Sequence, residues 1–472
     1  MGLSRSIIQH KVILKVSGFS KIVVRLAVIA AFFNPLAGCG GSAQPIGTSS
    51  EITPSEVNTA TKFVAASFSE TEALVKSIET AIAHQDAALL NGLIDEVQMV
   101  DRVLAGLDVD QAFRTNFTQG VREGGGLTKL SNEILGAVQR GGDFTFVRMV
   151  QKGDELRPLF RLTLPQSGGM NYHELVISVD ANKQPRIADI YVYLSGELLS
   201  QSIRRLVLPS VAAANAGILA KLTGVESDLI KNIGTIEKIN ELTSAQKYQE
   251  AFDLFGTLPE ALQKDKTVLL TKLIVAQNLN DADYINVIRD LERNWPEDAA
   301  RDFRALDLLS LQEQHSELIK TVDRLIAGIQ DPYLNVLKVN SLLALNRVDD
   351  ARQAVAQAKA VSPNRVDIYW LEVSIALKAL DHATTATLLS EIGEKFGMVF
   401  DDLTSVHEYA EFVASDIGRE WMAEQTAGQA QPAEPVESPS LEPATQPAPA
   451  EPQPTPAEPQ PAPAEPQTPT EK

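Results

Sequence analysis

A single cysteine, Cys39, stands in 472 residues, which excludes an internal disulfide and any zinc or iron–sulfur site built on several cysteines. Acidic residues are missing from the first 38 positions, which hold Arg5, Lys11, Lys15, Lys21 and Arg25. The formal charge of −19 therefore becomes −24 over the rest of the chain, and a body this acidic repels nucleic acid phosphates and anionic lipid head groups. No Walker loop, no HExxH and no Gly-x-Ser-x-Gly occurs, and the six histidines, His10, His84, His173, His315, His382 and His407, are dispersed. The stretch "GVREGGG" lacks the preceding strand and the lysine that a phosphate cradle requires. These absences point away from a hydrolase or nucleotide enzyme, and the chain is read as a non-enzyme with no metal or diffusible cofactor.

What is present begins with an address. Scattered basic residues up to Arg25 precede an apolar core from Leu26 to Phe33 and then small residues, the order of a secretory signal. A membrane span needs about 20 apolar residues, more than this run supplies. The sequence Leu36-Ala37-Gly38-Cys39 resembles the lipobox of bacterial lipoproteins. That resemblance implies that the Cys39 thiol is alkylated with diacylglycerol, the bond before it is cut and the new amino terminus is acylated. Several acyl chains make a stable anchor, because each buried methylene contributes roughly 0.8 kcal/mol and one chain alone is marginal. Gly40 stands where an aspartate marks lipoproteins retained in the inner membrane of enteric bacteria, which favours the periplasmic face of the outer membrane.

Residues 39–54 read as a lipidated flexible tether after a signal peptide of residues 1–38. An α+β domain is expected over residues 55–205. Its first part is helical, with Phe63, Ala66, Leu74, Ile78 and Ile82 on one face and a second run through Leu90, Leu93, Ile94, Val97, Val100 and Leu104. After Gly141-Gly142 the period becomes two, and "FTFVRMVQ", "LRPLFRLTLP", "YHELVISVD" and "RIADIYVYLSGE" succeed one another between turn residues, predicting an antiparallel meander. In the last strand Ile190, Val192 and Leu194 are expected on one side and Tyr191 and Tyr193 on the other, so that both faces are covered. Helices before such a meander look like the nuclear-transport-factor-2-like fold, whose cone often holds a small molecule. His173, Glu174, Asp189 and the tyrosines are its chemically active residues, and all read more simply as sheet residues.

Residues 210–425 show self-similarity. Heptamers beginning at Ala245, Gln277, Leu311, Leu345 and Leu377 recur at spacings of 32, 34, 34 and 32, each a polar turn followed by a helix start. Ala251, Ala351 and Ala383 are assigned to a register where a small side chain lets two helices approach, with Asp283 and Glu317 filling it in two other repeats. The pattern resembles tetratricopeptide repeats, with Tyr248 at an aromatic position and Pro363 closing a repeat, while Pro296 and Pro332 punctuate others. The resemblance implies an all-α array with a groove for a protein or peptide partner. Asn335, Lys338 and Tyr369 are candidate groove residues, with Trp370 and Trp295 read as packing residues.

From about residue 430 to 472 the chain is proline, glutamate, alanine and glutamine with "PAEPQP" recurring, which predicts a disordered polyproline II tail reaching about 130 Å at ~3.1 Å per residue. The expected function is a membrane-anchored periplasmic scaffold or adaptor in envelope assembly or secretion. Two alternatives are a small-molecule-binding or weakly enzymatic α+β module recruited by the repeats, and a spacer between outer membrane and peptidoglycan.

Overall fold

A computed structural model describes residues 64–107, 109–123, 128–164, 169–214, 224–400 and 403–430. The signal peptide, Cys39, the tether and the tail beyond Ala430 lie outside the described residues, as does the Gly124–Gly126 run. The chain divides after Trp421 into two units, and the sheet and the helical hairpins all belong to the first.

The first helix is started by a reciprocal cap: the Ser67 hydroxyl accepts from the Glu70 N–H while the Glu70 carboxylate accepts from the Ser67 N–H at 2.7 Å. Helix α1 (Phe68–His84) is followed by α2 (Ala87–Gly92), α3 (Glu96–Val103), α4 (Gln111–Glu123) and α5 (Thr128–Gln139). The period-two segments then form β1 (Asp143–Lys152), β2 (Glu155–Thr163), β3 (Met170–Val179) and β4 (Pro185–Val192), joined by a two-residue strand β5 (Glu197–Leu198). All pairings are antiparallel and the order is β1-β2-β3-β4-β5, so the expected meander is observed with one short strand added. The open edge of β1 is blunted by an irregularity between Phe146 and Arg148 and by the Arg148 guanidinium, which donates to the Met149 carbonyl and, at 2.8 Å, to that of Ile329.

Both faces of the sheet are covered. Phe144, Phe160, Leu162, Leu175, Ile177, Ile190 and Val192 pack against Leu74 and Ile78 of α1 and Ile134 of α5. On the opposite face Val150, Leu159, Met170 and Tyr172 pack against helices more than a hundred residues further along. Tyr191 and Tyr193 lie away from Ile190 and Val192 as expected, but Leu194 does not share the latter's side. The strand ends at Val192, and the turn closed by the Gly196 N–H to the Val192 carbonyl at 2.8 Å carries Leu194 into the other core.

After α6 (Leu199–Ala214) and α7 (Gly224–Lys231) the chain is built of helical hairpins. The first is α8 (Ile233–Ser244) with α9 (Tyr248–Phe255), followed by a short α10 (Glu260–Gln263). The next are α11 (Lys266–Gln277) with α12 (Asp281–Asn294) and α13 (Arg301–Leu311) with α14 (His315–Ile329). A 3-10 segment (Pro332–Lys338) leads into α15 (Val339–Ala344), which pairs with α16 (Val348–Val361); α17 (Val366–Lys378) pairs with α18 (His382–Phe396). Short helical turns, α19 (Ala410–Ala414) and α20 (Asp416–Ala430) complete the order.

Four of the hairpin turns share one device. Gln246, Glu313, Asn346 and Leu380 are left-handed, with φ between 54° and 60°. The next residue's N–H then reaches back to the carbonyl five positions earlier: Lys247 to Leu242, Gln314 to Leu309, Arg347 to Leu342 and Asp381 to Ala376, at 2.8–2.9 Å. The second helices begin at Tyr248, Asp281, His315, Val348 and His382, a period of 33 or 34 residues. The fourth residue of each is Ala251, Tyr284, Leu318, Ala351 and Thr385, and all are buried. Ala251 and Ala351 therefore occupy the close-approach register, whereas Ala383 is exposed and Thr385 takes its place. Asp283 and Glu317 likewise sit one residue before the register. Alignment of the heptamers slips because it weights alanine identity over the turn that fixes the helix start.

Candidate functional site

The junctions between one hairpin and the next carry polar residues at a matching period, and these hold the array to the sheet. Lys266, Asp298, Asp331 and Arg365 fall at successive junctions, 32 to 34 residues apart. Lys266 Nζ pairs with Asp298 at 2.6 Å and reaches the Gly196 carbonyl at 3.4 Å. Asp331 accepts from Arg161 Nη1 and from the Tyr172 hydroxyl, both at 2.8 Å, through one oxygen, while the other caps the Tyr333 N–H at 3.0 Å. Arg161 Nη2 continues to Ser362 Oγ at 2.8 Å, and its guanidinium lies 3.9 Å from the centre of the Tyr333 ring. Arg365 pairs with Asp367 and, at 3.5 Å, with Asp143 at the start of β1.

This cluster is buried, and its electrostatics follow from that. Burial alone lowers the pKa of Arg161, but the carboxylates of Asp331 and Asp143 more than offset it and hold the guanidinium above its ordinary value. Burial, reinforced by Asp331, pushes the Tyr172 phenol far up, so it remains a donor at any physiological pH. Tyr333 is raised for the same first reason and then by Asp367, to which its hydroxyl donates. The set is a fixed ionic clasp of buried, mutually bonded side chains.

On the array lies a cleft of about 580 Å³. Its walls are Glu292 at the end of α12, the Pro296–Arg301 loop, the stripe Asp302, Ala305 and Leu309 of α13, and Glu317, Thr321 and Arg324 of α14. Glu292, Glu297, Asp298, Asp302 and Glu317 outnumber Arg301 and Arg324, so the cleft is acidic. Arg324 forks onto Asp302 with bonds of 3.1 and 2.9 Å, and those bonds raise its pKa. The Glu317 carboxyl is held below its usual range by its bond from Lys320. Asp298, half-buried in the cleft wall with its carboxylate turned inward, is shared with the sheet junction through Lys266, and Arg304 lies 3.5 Å from it. An arrangement of carboxylates around an open cleft suits recognition of cationic side chains.

Of the groove candidates, Asn335 and Tyr369 are buried and Lys338 is half-buried. Asn335 is buried, with its amide on the Pro332 carbonyl. Lys338 is tied to Asp323 at 2.7 Å. Tyr369 is 5% exposed, edge-on to Phe396, with Lys395 donating to its hydroxyl at 2.7 Å. Trp370 is buried against Phe400 as a packing residue, whereas Trp295 is exposed, with its indole N–H on the Lys264 carbonyl. In the sheet, neighbours in sequence face opposite ways. His173 packs toward Phe144, where burial lowers its pKa to about 4, while Glu174 accepts from the Tyr193 hydroxyl at 2.5 Å on the array side. Asp189 is buried, raised by that burial, and satisfied by Ser200 and backbone N–H groups. Of these residues Glu174 and Tyr193 are brought together, while His173 lies on the opposite face.

The junction clasp is not foreseen from the sequence, where its only local signal is an aspartate, lysine or arginine recurring at hairpin junctions. No family model, no curated protein and no solved structure matches the chain.

Proposed function

We propose that the chain is a lipid-anchored scaffold of the bacterial envelope, without catalytic activity, that holds a protein or peptide partner on a tetratricopeptide-like array at the periplasmic face of the outer membrane. The observation that carries this reading is the hairpin array itself, whose second helices begin every 33 or 34 residues and whose α12–α14 portion leaves an acidic cleft open. Cys39 supplies the anchor and the proline-rich tail a spacer. The order of helices and meander supports a nuclear-transport-factor-2-like origin for the first part of the chain. A ligand cup on the sheet is the weaker reading, because the array already covers the face such a cup needs.

The test keeps the fold intact. Charge reversal of three exposed-side acids, Glu292→Lys, Glu297→Lys and Glu317→Lys, is introduced into the full chain. Pull-downs from detergent-solubilised envelopes are then compared with the parent. Loss of a stoichiometric partner with unchanged helix content supports the scaffold at this cleft, and full retention of every partner refutes it. In the same cells Cys39→Ser releases the protein from the membrane fraction, and an unmodified mature thiol by intact mass removes the anchor.

A further inference from the structure

Arrays of helical hairpins contact only their neighbours, so their pitch is set by a chain of separate interfaces, each free to flex. Here one side chain from outside the array spans two of its junctions. Arg161 of β2 bonds Asp331, which opens the hairpin containing α15, and Ser362, which precedes α17, both at 2.8 Å. Its guanidinium is also stacked on Tyr333, whose hydroxyl reaches on to Asp367. Around it the sheet touches the other junctions. Arg148 holds the Ile329 carbonyl, Asp143 holds Arg365, and Tyr172 and Tyr193 stand against Phe303 of α13 at 5.9 and 6.4 Å between ring centres. At the far end the Gly196 turn seats so closely that a Cβ there would stand 2.5 Å from Asp298 Oδ1.

We propose that the five-stranded sheet is a brace that fixes the pitch of the hairpin array, with Arg161 setting the spacing of two successive junctions. The array then behaves as a rigid rack and not as a spring, and any surface spread over several hairpins is preformed. A brace differs from a merely stabilising contact in what its removal changes. Loss of a stabilising contact moves the unfolding midpoint, whereas loss of the brace widens the distribution of distances between hairpins in the folded protein.

Cys39 is the only native cysteine, so the full chain carrying Cys39→Ser accepts spin labels at Ser316→Cys on α14 and Ala383→Cys on α18, both exposed near hairpin tips. Pulsed electron–electron distance measurement in detergent gives the parent distribution, which the brace makes narrow. Arg161→Met removes both ties and is expected to widen it about twofold with helix content unchanged. Ser362→Ala removes only one tie and shifts the distribution in the same direction by less. If Arg161→Met does not fold, Ser362→Ala alone decides. An unchanged mean and width in the folded variants, even with a lowered melting point, overturns the brace.

Discussion

Ending the chain at Ala214 is expected to leave a sheet that does not fold on its own. The sequence places a domain boundary between residues 205 and 210, and a fragment of residues 55–214 is what that boundary invites one to make. In the structure those residues fall inside α6, and among the described residues the array is what covers that side of the sheet. Cutting there exposes Val150, Leu159, Met170, Tyr172 and Leu194, which are 0–7% exposed in the intact chain. At about 1.5–3 kcal/mol for each fully buried side chain, the loss is about 7–15 kcal/mol as an upper figure. The whole net stability of a domain is about 5–15 kcal/mol. The core shared with α1 and α5 cannot make up that difference. The fragment is therefore expected to bind a dye for exposed apolar surface and to give a broad, non-cooperative urea transition. Its amide spectrum should show poor dispersion. A fragment that unfolds cooperatively, within about 2 kcal/mol of the intact protein, would refute the reasoning.

The register and the buried histidine give two further outcomes. Ala351→Leu overpacks a fully buried helix contact and should lower stability by about 1–3 kcal/mol, whereas Ala383→Leu on the exposed surface should stay within about 0.5 kcal/mol. Equal urea midpoint shifts for the two would restore the alanine register. His173 is neutral when folded, because burial lowers its pKa from 6.5 to about 4. Above pH 6.5 neither state binds the proton; between pH 6.5 and 4 only the unfolded chain does, so stability falls as pH falls through that window, by about 3 kcal/mol in all. His173→Gln should flatten that part of the urea midpoint profile while leaving the slope below pH 4 unchanged, and a profile parallel to the parent's would show that the ring is not held neutral.

Much of the architecture is legible because it is written locally. The change of period at Gly141-Gly142 and the turn residues between runs place three strands within a residue or two of where they stand and start the fourth correctly, although that run continues to Glu197 where the strand ends at Val192. The hairpin period is legible too, since polar turns recur whatever the packing around them. The fine register is not. Leu380 holds the left-handed turn position that Asn346 holds in the preceding hairpin, and nothing in a leucine announces that conformation. Alignment on small residues then selects Ala383 over Thr385, although the threonine points inward and bonds its hydroxyl back to the Asp381 carbonyl. The sidedness of Leu194 fails for a related reason. Alternation is a property of a strand, and the strand has already ended.

The candidate surface is less legible than the fold, and Asp331 shows why. Read along the chain, an aspartate just before Pro332 is an N-cap, and one of its oxygens does cap the Tyr333 N–H. That local role accounts for the residue type so completely that nothing prompts a second. Yet a carboxylate has two oxygens, and the other takes Arg161, 170 residues away, together with Tyr172. Arg161 is equally masked, as one polar residue within the period-two run "LRPLFRLTLP". Asp331 satisfies a short-range rule with one oxygen and makes its long-range contacts with the other, whereas both of Arg161's hydrogen bonds are long-range. The apolar partners around them, Leu159 and Met170, behave likewise, since an apolar residue on the second face of a strand says only that something covers it. A helical array placed later in the same chain is a sufficient cover. The two stretches that the sequence divides lie within one compact unit, whose array-facing polar residues belong to its architecture before they belong to any partner.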